Sequence, residues 1–376
     1  GLTTDVRLAN ACLSYLRYLG KMVWPARLAI FYPHPAANIN FSLTALAALT
    51  LAGLSLLVVV LSKRHKYLAF GWSWYLVTLL PVIGVIQVGG QAMADRYTYI
   101  PLIGIFVIVA WGIPELLHTR PSVGRLVAPA AVAIILIWSL ATCLQVRHWR
   151  NTMTLFQHAC DATQDNHLAH RIVAGAYAEQ GRFDEALRHY EQAIRVRPDG
   201  VNALDAAARL LATCPDAGLR NPKKAFEFAW RACEQSDFKN PANLDTLAVA
   251  YAAAGRFADA ADTYERAISI EPNDRRILNA MAWFLATCPE PEFRNPDKAL
   301  EYARRACEAS NYTDPAQLDT LAAAYAAVGK FEDAVTTQQK ALTLTPQQSR
   351  ADYEKRIELY RAGKPFLDYP PNSADD

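Results

Sequence analysis

Several familiar signatures are missing from this 376-residue chain. It has no Walker phosphate loop, no dinucleotide-binding glycine fingerprint, no HExxH and no serine-nucleophile elbow. Those absences remove the sequence grounds for nucleotide hydrolysis, nicotinamide chemistry, zinc proteolysis and serine hydrolysis. Its seven cysteines form no CxxC pair. An excess of charge is missing too: 38 Lys and Arg face 36 Asp and Glu, a net +2, so charge suggests neither nucleic acid nor another acidic polymer as partner. The most informative shortage is local. Charges are rare and clustered from Asn38 to Val146, but dense and mixed from Arg147 onward. Such a split implies two regions with different solvents. The chain opens at Gly1 in mid-pattern, with no initiating Met and no signal peptide, and reads as a piece or processed product of a longer protein.

A bilayer-spanning helix needs about 20 apolar residues. Four windows qualify: 41–61, 67–88, 97–117 and 126–146. The first, second and fourth carry no charge, and the third carries only Glu115 near its end. The connections bearing Lys63, Arg64 and Lys66, and then Arg120 and Arg125, are basic, whereas 91–96 is nearly neutral. The positive-inside rule puts the basic connections in the cytoplasm and both flanks outside. Residues 1–40 precede the spans. Leu8, Cys12, Tyr15, Leu16, Leu19 and Val23 recur there at helical spacing, interrupted by Arg17, Lys21 and Arg27. Aromatics mixed with basic residues suit the headgroup layer, and the segment reads as an interfacial amphipathic helix or, equally, as a surface segment packed on the bundle.

The second half repeats itself. GRFDEALRHYEQAIRVRPD from Gly181 returns at Gly255 and Gly329, and LLATCPDAGLRNPKKAFEFAWRACEQS from Leu210 returns at Phe284, each after 74 residues. Small residues at Ala174, Ala186 and Ala193, Tyr177 and Tyr190, a turn Gly181 and a stop Pro198 recur in the later units. Alanines let antiparallel helices approach, glycine ends a first helix at positive φ, and proline ends the second. This pattern resembles the tetratricopeptide repeat. Five repeats span 167–349 after a linker helix at 147–166, enough for a stable solenoid. Residues 350–376 supply a capping helix and a tail expected to be disordered from Leu367. The expected fold is therefore all-α: a polytopic bundle of about four spans followed by an α-solenoid.

The repeat family's helix positions imply a groove lined by Arg171, Asn202, Asp205, Arg209, Asp245, Arg276, Asn279, Trp283 and Asp319. It is rich in aspartate, which points to a protein or peptide ligand with some basic character. His158, Cys160, His167 and His170 fit no standard ligand spacing, so no metal site is assigned. Cys214, Cys233, Cys288 and Cys307 recur with the long repeat and read as packing residues. Asp95 and Arg96 open the third span, and a charged pair there is costly unless paired or wet.

RYLGKMVWPARLAIFYPHP, MADRYTYIPLIG and LFQHACDATQDN leading into the repeats resemble the C-terminal half of bacterial relatives of the transmembrane and tetratricopeptide-repeat O-mannosyltransferases. The resemblance implies a bacterial inner membrane protein with periplasmic repeats and, for the full-length protein, a polyprenyl-phosphate sugar donor. It implies that Lys21, Arg27 and Arg96 neutralise the carrier phosphate, that Asp95 holds Arg96, and that Tyr97 and Tyr99 lie at headgroup depth. The family's acidic catalytic loop has no counterpart in this chain, so no catalytic residue and no cofactor are assigned to it. A non-catalytic membrane-tethered scaffold for protein assembly is the alternative.

Overall fold

The computed structural model describes residues 3–34, 40–85, 89–119, 124–346 and 350–368. Among them it holds seventeen α-helices, one two-stranded antiparallel sheet and several short 3-10 turns. The chain divides into two units, 1–180 and 181–376.

In the first unit, α1 (Thr4–Val23) is followed by β1 (Tyr32–Pro33), α2 (Phe41–Leu61), α3 (Lys66–Leu79) and β2 (Gln91–Met93). Then come α4 (Pro101–Thr119), α5 (Gly124–Val146), α6 (Thr152–Ala162) and α7 (His167–Glu179). Three helices among the described residues are long and apolar enough to cross a membrane, and they correspond to α2, α4 and α5. α2 and α5 face outward almost entirely, whereas α4 buries Pro101, Gly104 and Ile105. Ala47 is the one buried residue of α2, and α5 buries none. An apolar helix with no polar face is stable where its solvent is itself apolar.

The second expected span is corrected. Its helix stops at Leu79, and a turn from Leu80 through Pro81 to Gly84 takes over. Proline lacks an amide hydrogen and its ring clashes with the preceding turn, so the helix cannot continue. Fourteen residues reach about 21 Å, short of the roughly 30 Å hydrocarbon core. Residues 86–88 of that window lie outside the described residues. The third window is corrected at its start: Tyr97 sits in a 3-10 turn, and the α-helix begins at Pro101.

Close approach organises α3 against α4. A Cβ placed on Gly71 would lie 2.3 Å from the Gly104 carbonyl oxygen, and one on Gly104 would lie 2.2 Å from that of Gly71. Only glycine permits this contact, a device suited to helices that pack in lipid. α1 closes the core with Tyr15 and Tyr18, which pack on Trp72, Tyr75, Leu79, Ile83 and Met93.

The second unit holds α8 (Phe183–Val196), α9 (Val201–Thr213), α10 (Pro222–Glu234), α11 (Pro241–Ala253) and α12 (Phe257–Ile270). It continues with α13 (Arg275–Thr287), α14 (Pro296–Ala309), α15 (Pro315–Ala327), α16 (Phe331–Leu344) and α17 (Arg350–Arg361). Successive helices pack as hairpins, α9 on α10 through α15 on α16, and the first helices of neighbouring hairpins also touch. Buried alanines such as Ala207, Ala248, Ala282 and Ala322 let the backbones meet. The helix starts follow from Asn-Pro and Asp-Pro pairs. Asn221, Asn240, Asn295 and Asp314 cap first-turn amides, and the proline that follows needs no partner for its missing hydrogen. Gly181, Gly255 and Gly329 take φ of 72°, 72° and 79°, the left-handed turn expected of them. The repeated cysteines are buried, as packing residues should be.

Candidate functional site

In the first unit, Lys21, Asp95 and the Arg27 carbonyl, from the expected lipid-side set, gather around the Tyr32 hydroxyl, which sequence reasoning had not placed in the site. Tyr32 donates to Asp95 Oδ2 at 2.7 Å and accepts from Lys21 Nζ at 2.8 Å and from the Ala29 amide at 2.7 Å. Lys21 also donates to the Arg27 carbonyl at 3.1 Å and lies 4.0 Å from Asp95 Oδ1. Burial pushes the Asp95 carboxyl up, against the Tyr32 hydrogen bond and the Lys21 charge, and burial pulls the Lys21 ammonium down. Burial thus works against both charges, and the Tyr32 hydrogen bond and each charge's attraction for the other oppose it.

The knot is held from several directions. Tyr18 accepts from the Ala94 amide at 2.9 Å, and Asn10 donates to the Ala92 carbonyl at 2.8 Å. β1 pairs with β2 through Tyr32 opposite Met93. Around it, the Leu28 carbonyl accepts from Gln145 Nε2 at 3.2 Å and contacts His158 Nε2 at 3.0 Å, while the Phe31 carbonyl accepts from Asn166 at 3.1 Å. Arg27 turns the chain at φ 51°, a conformation that costs a non-glycine residue about 1–2 kcal/mol. The turn aims its carbonyl at Lys21.

The expected pairing of Asp95 with Arg96 is corrected: the carboxylate is engaged by Tyr32 and Lys21. Arg96 instead lies over the Tyr97 ring, 5.2 Å from its centroid. Among the described residues neither Arg27 nor Arg96 forms an ion pair, and both are exposed. Tyr97 accepts from Gln91 Nε2 at 2.7 Å, and Tyr99 is 77% exposed. The cluster is thus a neutral knot beside two unpaired cations.

In the second unit, a cavity of about 440 Å³ opens on the first helices of the hairpins. Ala212, Ala252, Phe257, Tyr264 and Phe284 give it apolar walls, while Asn279, Trp283 and Asp319 bring polar atoms. Most of the expected acids are already paired. Arg209 donates to Asp245 at 2.6 Å and to Thr246 at 2.7 Å. Asp319 accepts from Gln338 at 2.5 Å and from Arg356 at 2.8 Å. Arg276 pairs with its neighbour Asp274 at 3.0 Å, and Asn202 is exposed at the start of α9. Three buried acceptors, Asp205 Oδ1, Asp245 Oδ1 and Asn279 Oδ1, lack a donor among the described residues. Arg171 belongs to α7 in the first unit.

Of the tail expected to be disordered from Leu367, residues 367 and 368 are placed by contacts of the segment that begins at Phe366, and 369–376 lie outside the described residues. Phe366 packs against Trp283 with ring centroids 5.6 Å apart. The Asp368 amide donates to the Thr287 carbonyl at 2.8 Å, and Trp283 Nε1 donates to Asp368 Oδ2 at 2.8 Å. Arg356, Phe366 and Asp368 were missed because nothing in their local sequence marks them. The one available signal was Trp283, which stands 74 residues after Arg209 where the period calls for another arginine.

Parts of the chain are similar to known proteins. Models described as TPR repeat and tetratricopeptide repeat match residues 175–207 and 241–284. Protein O-mannosyl-transferase Tmtc3 of Drosophila melanogaster is 29% identical over 132 residues, 35% of this chain and 14% of that protein. Protein O-mannosyl-transferase TMTC1 of Mus musculus is 27% identical over 179 residues, 47% of this chain and 19% of that protein. The matched part of this chain thus spans less than a fifth of the length of either relative. A solved tetratricopeptide protein of Thermus thermophilus is 19% identical, with a TM-score of 0.44 over 52% of this chain and 99% of its own. The chain is an all-α protein in which apolar helices of membrane length precede tetratricopeptide repeats, and part of it is similar to proteins named as protein O-mannosyl-transferases.

Proposed function

We propose that this chain is the membrane-anchored, partner-binding portion of a lipid-linked-sugar-dependent protein O-glycosyltransferase. It lies in a bacterial inner membrane with its repeats in the periplasm. The observation that carries the reading is the partial similarity to protein O-mannosyl-transferases in a chain whose Arg27 and Arg96 stand unpaired beside a neutral Lys21–Tyr32–Asp95 knot. An arginine without an ion-pair partner can offer its planar fork of donors to a phosphate. Arg27 and Arg96 would hold the polyprenyl phosphate of the donor, and the knot would position them. Exposed Trp24, Tyr99 and Ile100 suit headgroup depth.

The repeats would present the acceptor. The cavity is lined by Asn279, whose Oδ1 lacks a donor among the described residues, and by Asp319, which favours a ligand that brings N–H or ammonium donors, since an acceptor left without a donor is costly. Such a ligand is an extended protein segment with some basic character.

The test uses the full chain in nanodiscs and a fluorescent polyprenyl phosphate. Arg27→Ala with Arg96→Ala should weaken lipid binding about tenfold or more, by analogy with the loss of charge-assisted hydrogen bonds. Unchanged lipid binding would remove the carrier role. Acceptor proteins photocrosslinked from position 279 alongside that result would favour the alternative, a non-catalytic scaffold.

A further inference from the structure

The strongest unassigned feature is the segment that leaves α17 and returns over the first helices of the repeats. Gly363, at φ 68°, turns the chain after α17, with the Lys364 amide donating to the Leu359 carbonyl at 3.0 Å. This is the glycine-ended helix stop. Pro365 then keeps the chain extended. Residues 366–368 meet α13, 85 residues away in sequence at the Trp283–Asp368 contact.

The contact has the chemistry of peptide recognition. Phe366 enters a slot walled by both the Trp283 ring, 5.6 Å away centroid to centroid, and the Arg356 guanidinium, 5.4 Å from the Phe366 centroid and 5.6 Å from that of Trp283. It also packs against the buried cluster that includes Ala322, Ala326 and Tyr360. Arg356 is fixed beneath by Asp319. Two residues on, Asp368 gives its amide to a main-chain carbonyl, and its carboxylate accepts from the indole. One aromatic anchor, one charge-assisted hydrogen bond and one main-chain bond make a compact recognition unit.

Comparison within the repeat indicates that the slot is built. In the preceding 74-residue unit, Arg209 neutralises Asp245 directly. At the equivalent place Trp283 replaces the arginine, and Arg356 arrives from α17 to neutralise Asp319. The exchange keeps the buried acid paired and frees an indole N–H, which grips the incoming carboxylate. The open cavity borders the slot and shares Trp283, Asp319 and Asp368.

We infer that the Trp283–Arg356 slot recognises an extended protein segment carrying an aromatic residue followed two positions later by an acid, and that residues 366–368 are its resident, displaceable occupant. This rests on the reading of the repeats as a protein-binding groove and adds two things: a sequence preference at one end of the groove and an internal competitor. The partner's acid takes the place of Asp368, while its remaining length runs into the cavity.

The experiment uses the full chain in detergent and an amidated, fluorescein-labelled peptide of residues 361–368, read by fluorescence polarisation. The native chain should bind the probe weakly. Phe366→Ala with Asp368→Asn should tighten binding about tenfold or more, as release of an internal competitor raises apparent affinity. Adding Trp283→Ala should abolish that gain, and a probe with its Phe changed to Ala should not bind.

Equal binding by the native chain and the double variant, or binding that survives Trp283→Ala, would overturn the inference. So would loss of the cooperative melt in the double variant together with no gain in the milder Asp368→Asn variant, since the segment would then be a fixed brace. The two readings can fail separately. Slot binding of the probe with no acceptor crosslinked from position 279 would defeat the wider groove reading alone. Acceptor crosslinking without probe binding would defeat only this one.

Discussion

The two units invert each other. The first hides its polar atoms and shows apolar side chains. Tyr15, Tyr18 and Tyr75 are buried with hydroxyls bonded to main-chain atoms, while α2 and α5 display leucine, isoleucine and valine. The second hides alanine and shows charge, with most of its ion pairs on the surface. Yet both solve helix approach in the same way, with a small residue at the crossing: Gly71 against Gly104 in one, rows of alanine in the other. The lesson is that solvent decides what faces out, while backbone distance decides what sits between helices.

The largest expected effect, a loss of folded protein rather than a lowered melting point, attacks that shared device. Gly71→Leu must push the Gly104 carbonyl and Ile108 aside, and overpacking costs about 1–3 kcal/mol, towards the upper end where backbone has to shift. The folded protein recovered from membranes should fall sharply, as read by detergent-exchange gel filtration. Gly53→Leu in α2, where an added Cβ meets nothing within 4 Å, should leave recovery unchanged. Equal losses would mean that the α3–α4 contact is not what limits the first unit.

An intermediate effect separates the units by their use of buried charge. Arg356→Ala leaves Asp319, 7% exposed, without its cation. Breaking such a pair from one side costs about 3–5 kcal/mol, so the melting temperature should drop. Adding Asp319→Asn should restore part of it, because the stranded charge is gone. A double variant as unstable as the single one would show that ring packing around Arg356, and not the ion pair, holds α17.

The smallest effect is one of pH. Burial raises the carboxyls of Asp205, Asp245 and Asp319, against the pull of Arg209 or Arg356. A raised acid means that the folded chain binds its proton more tightly than the unfolded one. The associated stability is fully present below the unfolded value of about 3.9 and is lost as pH rises through the folded value. Relative to Asp245→Asn, the native chain should therefore melt lower at pH 7 than at pH 4, by an amount on the order of 2 °C. A difference of opposite sign would show that Arg209 outweighs burial.

Repeats were legible because a helical hairpin is a local object. Its alanines, turn glycine and stop proline lie within about 34 residues, so periodicity in the sequence is periodicity in space. The apolar helices α2, α4 and α5 were legible because composition alone fixes what a lipid-facing helix needs. α3 was overextended because hydropathy counts apolar residues but does not see where Pro81 ends the backbone ladder.

The partners of the charged residues were not legible. Asp95 sits next to Arg96 in sequence, yet Tyr32, 63 residues away, takes its oxygen. The 3-10 turn at 95–98 carries Arg96 to the Tyr97 ring, while β1 delivers Tyr32. The Asp368–Trp283 contact joins residues 85 apart, and local pattern holds no record of it. Which segments are helical, where hairpins turn and which residues must be small could be read along the chain, because these follow from backbone sterics and neighbours a few positions apart. Which cations stay unpaired and which segment fills the Trp283 slot emerged only on folding, because electrostatic pairing depends on distance in space and not on separation along the chain.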